Sequence, residues 1–258
     1  MSSVAVSSGS APTESPTAGA PVSRGLLILR GILFGSVALA FPVSAGLVFG
    51  LGVDRHAAAD GLSVVYGVGL VSAVFASFFP LPSLRTWTRA QRVESLVLAF
   101  LGMSYVTHLS WELGWLVLRD AIAASPDAPW AYVWWAYIDG GDARYAVGDP
   151  LLIAMETLSV CNGLVGATAL VRYLRSGRTA TRARLVMGGT AVVHLYSASL
   201  YYASELLTGL PNVGDGFIAV YIKFGLANAL WVVAPFFVFA WCLKGVAPRP
   251  EDPGATLP

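Results

Sequence analysis

The chain has 258 residues, of which 56% are hydrophobic and only 12% are charged, and its formal net charge is +1. A soluble domain carries about 25% charged residues, so the composition excludes an ordinary soluble domain and predicts an integral membrane protein. The small net charge also argues against a nucleic-acid partner.

The N-terminal stretch, residues 1–23, is rich in Ser, Ala, Pro, Thr and Gly and carries a single charge. Such a composition cannot bury a hydrophobic core, so we expect a disordered tail. It lacks the charged start and the following apolar stretch that are typical of a secretory signal. We expect a second disordered tail over residues 244–258, after the last apolar run.

Six apolar runs lie between these tails, and each is long enough for the ~20 residues that a helix needs to cross a bilayer. Their length and their lack of apolar–polar alternation argue against strands. The sequence therefore predicts an all-α fold, a polytopic membrane helical bundle with six transmembrane helices. Pro42 and Gly46 favour a kink in the first run, which is the run most compatible with a peripheral position. The runs cover residues 25–52, 61–82, 94–118, 150–171, 185–207 and 216–243.

The connections between these runs separate by charge. The loops 85–92 and 172–184 are rich in arginine, and Lys244 follows the sixth run, whereas the opposite connections are acidic, including the long stretch 119–149. The positive-inside rule then predicts that both termini face the cytoplasm. The membrane is the inner membrane if the source is bacterial and the endoplasmic reticulum if it is eukaryotic.

The connection 119–149 is the longest, and it is rich in Trp and Tyr, which prefer the headgroup region of a membrane. We expect a segment that lies on the outer surface and covers a cavity from that side. Asp149 followed by Pro150 is typical of a helix N-cap and a first helical position, so we predict that the fourth helix begins there.

Few ionisable side chains fall inside the apolar runs, where each costs about 2.5–3.5 kcal/mol on insertion scales. His108 and Glu112 are one helical turn apart and share a helix face. Glu156 and the polar neutral Asn228 fall, like Glu112, between the outer surface and the bilayer middle, so a shared site is geometrically feasible. A structural interpretation stays open, since a His–Glu pair can pin two helices together and Asn228 can join helices by a hydrogen bond.

The remaining ionisable residues have plainer interpretations. His194 has no obvious partner in the sequence, which favours a packing role for it. Lys223 lies about two turns into the sixth run and can extend its ammonium toward the outer headgroups. Arg30, Glu94 and Glu205 lie near helix ends, so we expect their charged groups to be solvated there.

The polar residues at membrane depth suit acid–base chemistry better than other reactions. The sequence contains no nucleophile elbow, Gly-rich phosphate loop or HExxH motif. His108, Glu112 and Glu156 form a thin ligand set for a metal ion, so we expect no metal site. Burial favours the protonated form of a carboxyl group, which can deliver a proton, and tryptophan faces stabilise a cation. An acid, a base and an aromatic wall inside lipid favour proton addition to an apolar alkene, followed by proton removal.

Three motifs occur in order along the chain: HLSWELGW from His108, GDARYAVGD…METLSVC from Gly141, and ANALWVVAP from Ala227. Together the motifs resemble the emopamil-binding protein family, the sterol Δ8–Δ7 isomerases of the EXPERA group, over roughly residues 94–243. The resemblance implies a five-helix membrane bundle with a lipid-accessible sterol pocket. The chain then divides into an extra N-terminal helix and loop, residues 24–60, and an EXPERA-like membrane domain, residues 61–243.

The resemblance also implies a reaction that transposes a C=C bond and needs no cofactor. The alkene is protonated at C9, a carbocation forms at C8, and a proton leaves C7. His108 and Glu112 would belong to the proton-donating side, and Glu156 would take the C7 proton or face the cation. The residues expected to bind the substrate or its cation are Asn228, Trp231, Ser159, Trp111, Tyr145 and Lys223.

The motifs depart from the family pattern at three places. The glycine after the glutamate has moved by one position, to Gly114, and Ser197-Ala198 replace a Gly-Asp pair in the fifth run. Lys223 occupies an aromatic position; a lysine in the pocket wall either favours a more polar or acidic ligand or places a positive charge that disfavours a nearby carbocation.

The expected partners are a sterol or polycyclic terpenoid substrate and the lipid bilayer, and the sequence is compatible with a homodimer. Two alternatives stay open: a non-enzymatic sterol or lipid binder of the sigma-2 type, and an isomerase or cyclase that acts on another terpenoid.

Overall fold

The computed structural model describes residues 21–246 of the chain. The predicted tails therefore lie outside the described residues, except for residues 21–23 and 244–246. The described chain consists of helices joined by turns, with no strand between residues 21 and 246, which confirms the all-α prediction.

Nine α-helices make up most of the described chain, and π-helical segments at Gly46–Gly50, His108–Glu112 and Ile218–Leu226 interrupt or precede some of them. Because α3, the second π-helical segment and α4 are continuous, they form one long helix. The α-helices are α1 (Arg24–Ala45), α2 (Arg55–Phe75), α3 (Arg89–Thr107), α4 (Leu113–Ala123), α5 (Tyr132–Ile138), α6 (Arg144–Val147), α7 (Pro150–Arg175), α8 (Thr181–Leu206) and α9 (Ala227–Val246).

Five helical segments of the described chain are long and apolar enough to cross a membrane, and the chain is an integral membrane protein. The fifth predicted run forms α8, which has 26 residues like α7 but is not one of these five. It packs along both α7 and α9 within the bundle. The five segments are Arg24–Gly50, Arg55–Phe78, Arg89–Ala123, Pro150–Arg175 and Ile218–Gly245.

Side-chain caps explain where two of these helices begin. The Asp149 carboxylate accepts hydrogen bonds from the backbone N–H groups of Leu151 and Leu152, which confirms the predicted start of α7 at Pro150. The predicted start of the second helix near residue 61 is wrong, because Asp54 caps a helix that begins at Arg55. The division proposed between residues 60 and 61 therefore falls inside α2.

The centre of the bundle is α3, which packs against α7 and α9, while α8 packs between those two helices. Buried side chains such as Phe100, Met187 and Ala234 form the largest apolar cluster. Gly166 on α7 lies against the ring of Tyr105, where a β-carbon would come within 2.2 Å of ring atoms. This glycine lets α3 and α7 approach closely, as small residues commonly do between membrane helices.

The periphery holds α1, which packs on α2 and is largely exposed along its apolar length. The expectation that Arg30 and Glu94 are solvated is wrong. The Arg30 guanidinium donates to the backbone oxygen of Ala73 at 2.9 Å and to Ser95 Oγ at 2.8 Å, so it ties α1 to α2 and α3. Glu94 is only 8% exposed and lies 3.5 Å from Arg178.

The segment between α4 and α7 covers one end of the bundle, and indole N–H groups fasten it there. Trp111 donates to the backbone oxygen of Val133, and Trp134 donates back to that of Trp111, both at 3.0 Å. Gly114 is required under this contact, because a β-carbon would lie 2.8 Å from the Trp134 ring. The displaced glycine of the first motif therefore has a packing role.

A buried ion-pair cluster ties the same segment to the end of α8. Arg144 lies 2.7 Å from Asp142 and 3.1 Å from Glu205, and Asn212 donates to Glu205 at 2.9 Å. The expectation that Glu205 is solvated is wrong, since it is 1% exposed.

Candidate active site

A cavity of about 780 Å³ lies between the helices, within the size range of sites that hold drug-sized ligands. One side is formed by α1 and α2 and is largely apolar, with Phe34, Phe41 and Leu62 among its lining residues. The opposite side carries the polar groups, which come from α3, α7, α8, α9 and the π-helical segments. All nine residues predicted for the site line this cavity: His108, Glu112, Glu156, Asn228, Trp231, Ser159, Trp111, Tyr145 and Lys223.

The predicted His–Glu pair lies in the π-helical segment His108–Glu112. His108 Nδ1 is 2.5 Å from Glu112 Oε2, and both residues are buried. A π-helical turn inside an α-helix is frequently found at functional sites. The pair is made within one helix, and His108 also contacts His194 on α8, so a role in joining helices stays open beside a chemical one.

Glu156, on α7, brings a second carboxyl group to the same place. Glu112 and Glu156 are both buried and both line the cavity, and Tyr145 donates its hydroxyl to Glu156 Oε1. The contact of α7 with the π-helical segment His108–Glu112 places the two carboxyl groups on the same wall of the cavity. Two carboxyl groups can hydrogen-bond to each other only when one of them carries a proton.

No arginine or lysine of residues 21–246 pairs with either of these carboxyl groups. Within residues 21–246, no arginine or lysine nitrogen lies within 4.0 Å of either carboxylate, and His108 is the sole basic side chain that meets this criterion. Buried acidic groups in stable structures are normally paired or hydrogen-bonded. Because only protons and hydrogen bonds satisfy these two groups, the arrangement can donate and accept protons.

Asn228 and its neighbours form a neutral polar part of the wall. Asn228 Nδ2 donates to Tyr137 Oη at 3.0 Å and to the backbone oxygen of Phe224 at 2.9 Å. The Tyr137 hydroxyl lies 2.6 Å from that of Tyr201. Sequence reasoning missed Tyr137 and Tyr201. Both lie in aromatic-rich stretches of the sequence, which was the available signal.

Lys223 contributes its stem to the cavity lining, but its ammonium has partners of its own. The Nζ atom lies 2.8 Å from Asp60 Oδ1 and 2.7 Å from the backbone oxygen of Asp139, and the residue is 2% exposed. The snorkelling interpretation is wrong for this reason. The ion pair joins the π-helical segment Ile218–Leu226 to α2.

The largest omission of the sequence reasoning is the set around His194. His194 Nε2 lies 2.8 Å from His108 Nε2, so the expectation of a packing histidine without a polar partner is wrong. Ser104 Oγ is 3.1 Å from each of these nitrogens, and Trp231 Nε1 donates to the same oxygen at 2.8 Å. The equal depth of Ser104, His108 and His194 was the available signal, since all three fall in the middle of apolar runs.

The remaining predicted residues complete the wall around Glu156. The ring of Tyr145 packs edge-on against Trp111 and Trp115, with centroids 5.5 and 4.9 Å apart. Ser159 lies one turn after Glu156 on α7 and is partly exposed to the cavity. The aromatic rings hold the Tyr145 hydroxyl against the carboxyl group.

Comparisons with known proteins bear on the same region. Residues 129–242 match the sequence profile of the EXPERA family, the expanded EBP superfamily. This range includes Glu156, Asn228 and Trp231, whereas His108 and Glu112 precede it.

Three curated relatives illustrate the similarity. A 3-beta-hydroxysteroid-Delta(8),Delta(7)-isomerase from Mus musculus is 28% identical over 151 residues, which cover 58% of this chain and 64% of the relative. The chain thus spans just under two thirds of the mouse protein. The isomerase of the same name from Cavia porcellus is 28% identical over 181 residues, 69% of this chain and 74% of the relative. Isomeliandiol synthase from Melia azedarach is 23% identical over 180 residues, 70% and 81% of the two chains.

Proposed function

We propose that this chain, which belongs to the EXPERA family, is a membrane-embedded isomerase that moves a ring double bond of a sterol from Δ8 to Δ7. The observation that carries the proposal is the pair of buried carboxyl groups on the cavity wall, Glu112 and Glu156, which have no arginine or lysine nitrogen of residues 21–246 within 4.0 Å. The relatives named as Δ8,Δ7-isomerases support the substrate class.

The proposed reaction conserves protons overall. The Glu112–His108 unit donates a proton to C9, the alkene electron pair forms the new C–H bond, and a cation remains at C8. Glu156 then removes a proton from C7, and the electron pair of that C–H bond forms the Δ7 alkene. Because Glu112 and Glu156 line the same cavity, the proton gained by Glu156 can return to Glu112 for the next turnover.

The cation formed at C8 needs a stabilising wall without fixed positive charge. Trp231 lines the cavity, and its ring centroid lies 6.4 Å from that of His108. An indole face attracts a cation through its quadrupole, and the amide oxygen of Asn228 can add to that attraction. The Lys223 ammonium is held by Asp60, so its charge is partly compensated.

The proposal is tested by supplying a Δ8-sterol to the purified chain in lipid nanodiscs and measuring Δ7-sterol by mass spectrometry. We expect conversion by the unmodified chain and a fall of about 10²–10⁴-fold in Glu156→Gln, the range of a lost general acid or base. Asp120→Asn is the matched control, because Asp120 is an exposed carboxylate. Absence of the Δ7 product would contradict the sterol assignment, and an unchanged rate in Glu156→Gln would contradict the mechanism.

A second candidate substrate is another polycyclic terpenoid, since one relative is named as a synthase of isomeliandiol. The acid–base pair would serve it in the same way. Co-expression with terpenoid-producing pathways, followed by mass spectrometry of the new products, separates the two candidates. Sterol binding without any product, and without sensitivity to Glu112→Gln and Glu156→Gln, would instead indicate a non-enzymatic binder.

We also propose that both termini face the cytoplasm. The arginine-rich loops 85–92 and 172–184 support this orientation by the positive-inside rule. Labelling of single cysteines placed in these loops by a membrane-impermeant reagent is the test. Labelling from the outer side of intact cells would contradict it.

A further inference from the structure

The two buried histidines face each other across a helix interface. His108 comes from the π-helical segment after α3 and His194 from α8, and they are 2% and 3% exposed. Their Nε2 atoms are 2.8 Å apart and their ring centroids 5.0 Å apart. Such a contact between two imidazole nitrogens is a hydrogen bond only if one nitrogen carries a proton and the other does not.

Two arrangements of protons satisfy this contact with neutral rings. In the first, His194 Nε2–H donates to His108 Nε2, so His108 carries its proton on Nδ1 and donates it to an ionised Glu112. In the second, His108 Nε2–H donates to His194 Nε2, so His108 Nδ1 accepts a hydrogen bond from a protonated Glu112. The contact with His194 therefore couples the tautomer of His108 to the protonation state of Glu112.

Ser104 holds the two rings in this relation. The indole N–H of Trp231 can only donate, so its 2.8 Å bond uses Ser104 Oγ as an acceptor. Both Nε2 atoms are 3.1 Å from Ser104 Oγ, so the Ser104 hydroxyl shares the single lone pair of the unprotonated Nε2 with the N–H of the other ring in a three-centre hydrogen bond. Ser104 can thus serve either arrangement without moving its oxygen.

The chain of hydrogen bonds that runs from Glu112 through His108 ends at His194 within the described residues. His194 Nδ1 is buried and has no hydrogen-bond partner in the described chain. The edge of Phe100 packs against the ring, with centroids 5.5 Å apart. Since no polar group of the described residues continues the chain past His194, the contacts suit orientation of His108 better than conduction of protons to solvent.

We propose that His194 and Ser104 are positioning residues of the proposed isomerase: His194 sets which ring nitrogen of His108 carries the proton, and Ser104 holds the two rings in contact. This inference rests on the proposed function only for its effect on turnover. The tautomer of His108 is a property of the folded chain and can be measured without substrate.

The test is ¹⁵N NMR of histidine-labelled protein in nanodiscs. The chain has only three histidines, and His56→Gln leaves the two of interest, so that the ring-nitrogen signals can be assigned. We expect one dominant tautomer for His108, a shift to a mixture in His194→Leu, and retention of the dominant tautomer in His194→Gln, whose amide supplies an N–H donor. Unchanged His108 signals in His194→Leu would overturn the proposal.

Turnover provides the second measurement. We expect a kcat about tenfold or more lower in His194→Leu, with a smaller change in KM and a displaced pH profile, because the general acid is misoriented. His194→Gln should recover most of kcat, and Ser104→Ala should lose less than His194→Leu. Ser199→Ala, an exposed serine on the same helix, is the matched control.

The outcomes separate the two proposals. Equal loss of kcat in His194→Leu and His194→Gln without a change in the pH profile would show that His194 only packs. A sterol that is never converted, with His108 signals that respond to His194 as expected, would refute the proposed function and leave the positioning role standing.

Discussion

Two clusters of buried carboxyl groups lie in different regions of the molecule and differ in what neutralises them. At the end of α8, Asp142 and Glu205 both lie within 3.1 Å of Arg144. In the cavity, Glu112 lies against His108 and Glu156 accepts from Tyr145. A fixed guanidinium can neutralise a buried carboxylate without a proton, so burial alone does not indicate a proton-transfer role.

The cluster of Asp142 and Glu205 joins separate segments of the chain, whereas Glu112 and Glu156 face the cavity. Arg144 also donates to Ser204, and Asn212 donates to Glu205, so the outer cluster connects α6, α8 and the turn after α8. Neither Asp142 nor Glu205 lines the cavity, whereas Glu112 and Glu156 do. We therefore expect substitutions in the outer cluster to change stability, and substitutions in the cavity pair to change turnover.

The largest expected effect is that of Glu112→Gln on isomerisation. The amide cannot release a proton, so kcat should fall by about 10²–10⁴-fold, while the amide keeps hydrogen-bonding capacity toward His108 and the folded state persists. Product formation by mass spectrometry and thermal unfolding in nanodiscs are the measurements. Glu205→Gln is the matched control, with kcat per folded molecule retained and the unfolding temperature lowered. If Glu205→Gln lowered kcat and Glu112→Gln lowered only the unfolding temperature, the distinction between the two clusters would be wrong.

Removal of the guanidinium tests the other side of the comparison. Arg144→Met leaves two buried carboxylates without their cation, and breaking a buried pair in this way typically costs about 3–5 kcal/mol. The free energy of unfolding in detergent, measured against Arg119→Met, is the readout, because Arg119 is 39% exposed in its side chain. A loss below about 1 kcal/mol, the scale of a surface ion pair, would show that the cluster contributes little.

Much of the fold follows from local signals in the sequence. Apolar length identified the helices, and the Asp149–Pro150 pair placed the start of α7 correctly. The start of α2 was misplaced because Arg55, His56 and Asp60 dilute the apolar run. A helix cap such as Asp54 is a contact of single atoms, which hydropathy does not register.

The candidate site was predicted less completely, for a physical reason. Position along an apolar run indicates depth in the membrane, so Glu112, Glu156 and Asn228 were placed between the outer surface and the bilayer middle. It does not indicate which neighbouring helix a side chain faces. The partners of His194 and Glu205 depend on that rotation and on helix packing, so both residues were misjudged.

A smaller effect is expected for Tyr145→Phe. The Tyr145 hydroxyl donates to Glu156, and loss of a hydrogen bond to a charged or shared-proton group is worth roughly 1.5–3 kcal/mol, so kcat should fall about 10–100-fold. Tyr132→Phe, which removes a buried hydroxyl bonded to Ser44 away from the carboxyl pair, is the control. Equal rates in Tyr145→Phe and the unmodified chain would show that this hydrogen bond does not tune Glu156.

The same hydroxyl carries a prediction for pH. Burial raises the pKa of the Tyr145 hydroxyl well above its ordinary value, and the charge of Glu156 acts in the same direction. The protonated, donating form is therefore retained past pH ~10, the ordinary pKa of tyrosine. Tyr145→Phe should consequently leave the alkaline limb of the pH–rate profile in place while lowering the whole curve. Disappearance of an alkaline limb in the variant would mean that Tyr145 ionises during the assay.

The smallest expected effect on turnover concerns the ion pair of Lys223 with Asp60. Asp60 is half-exposed, with 45% of its side chain accessible, but Lys223 is buried, so Asp60→Asn should cost more stability than the about 1 kcal/mol of a surface pair and less than the about 3–5 kcal/mol of a fully buried one. Lys223 keeps its bond to the backbone oxygen of Asp139, so the ammonium should stay out of the cavity and turnover should change less than threefold. Tighter binding of an acidic sterol derivative to Asp60→Asn than to Asp120→Asn would show instead that Asp60 holds this charge away from the ligand. Lys223 would then belong with the cavity pair, because its charge would select substrates.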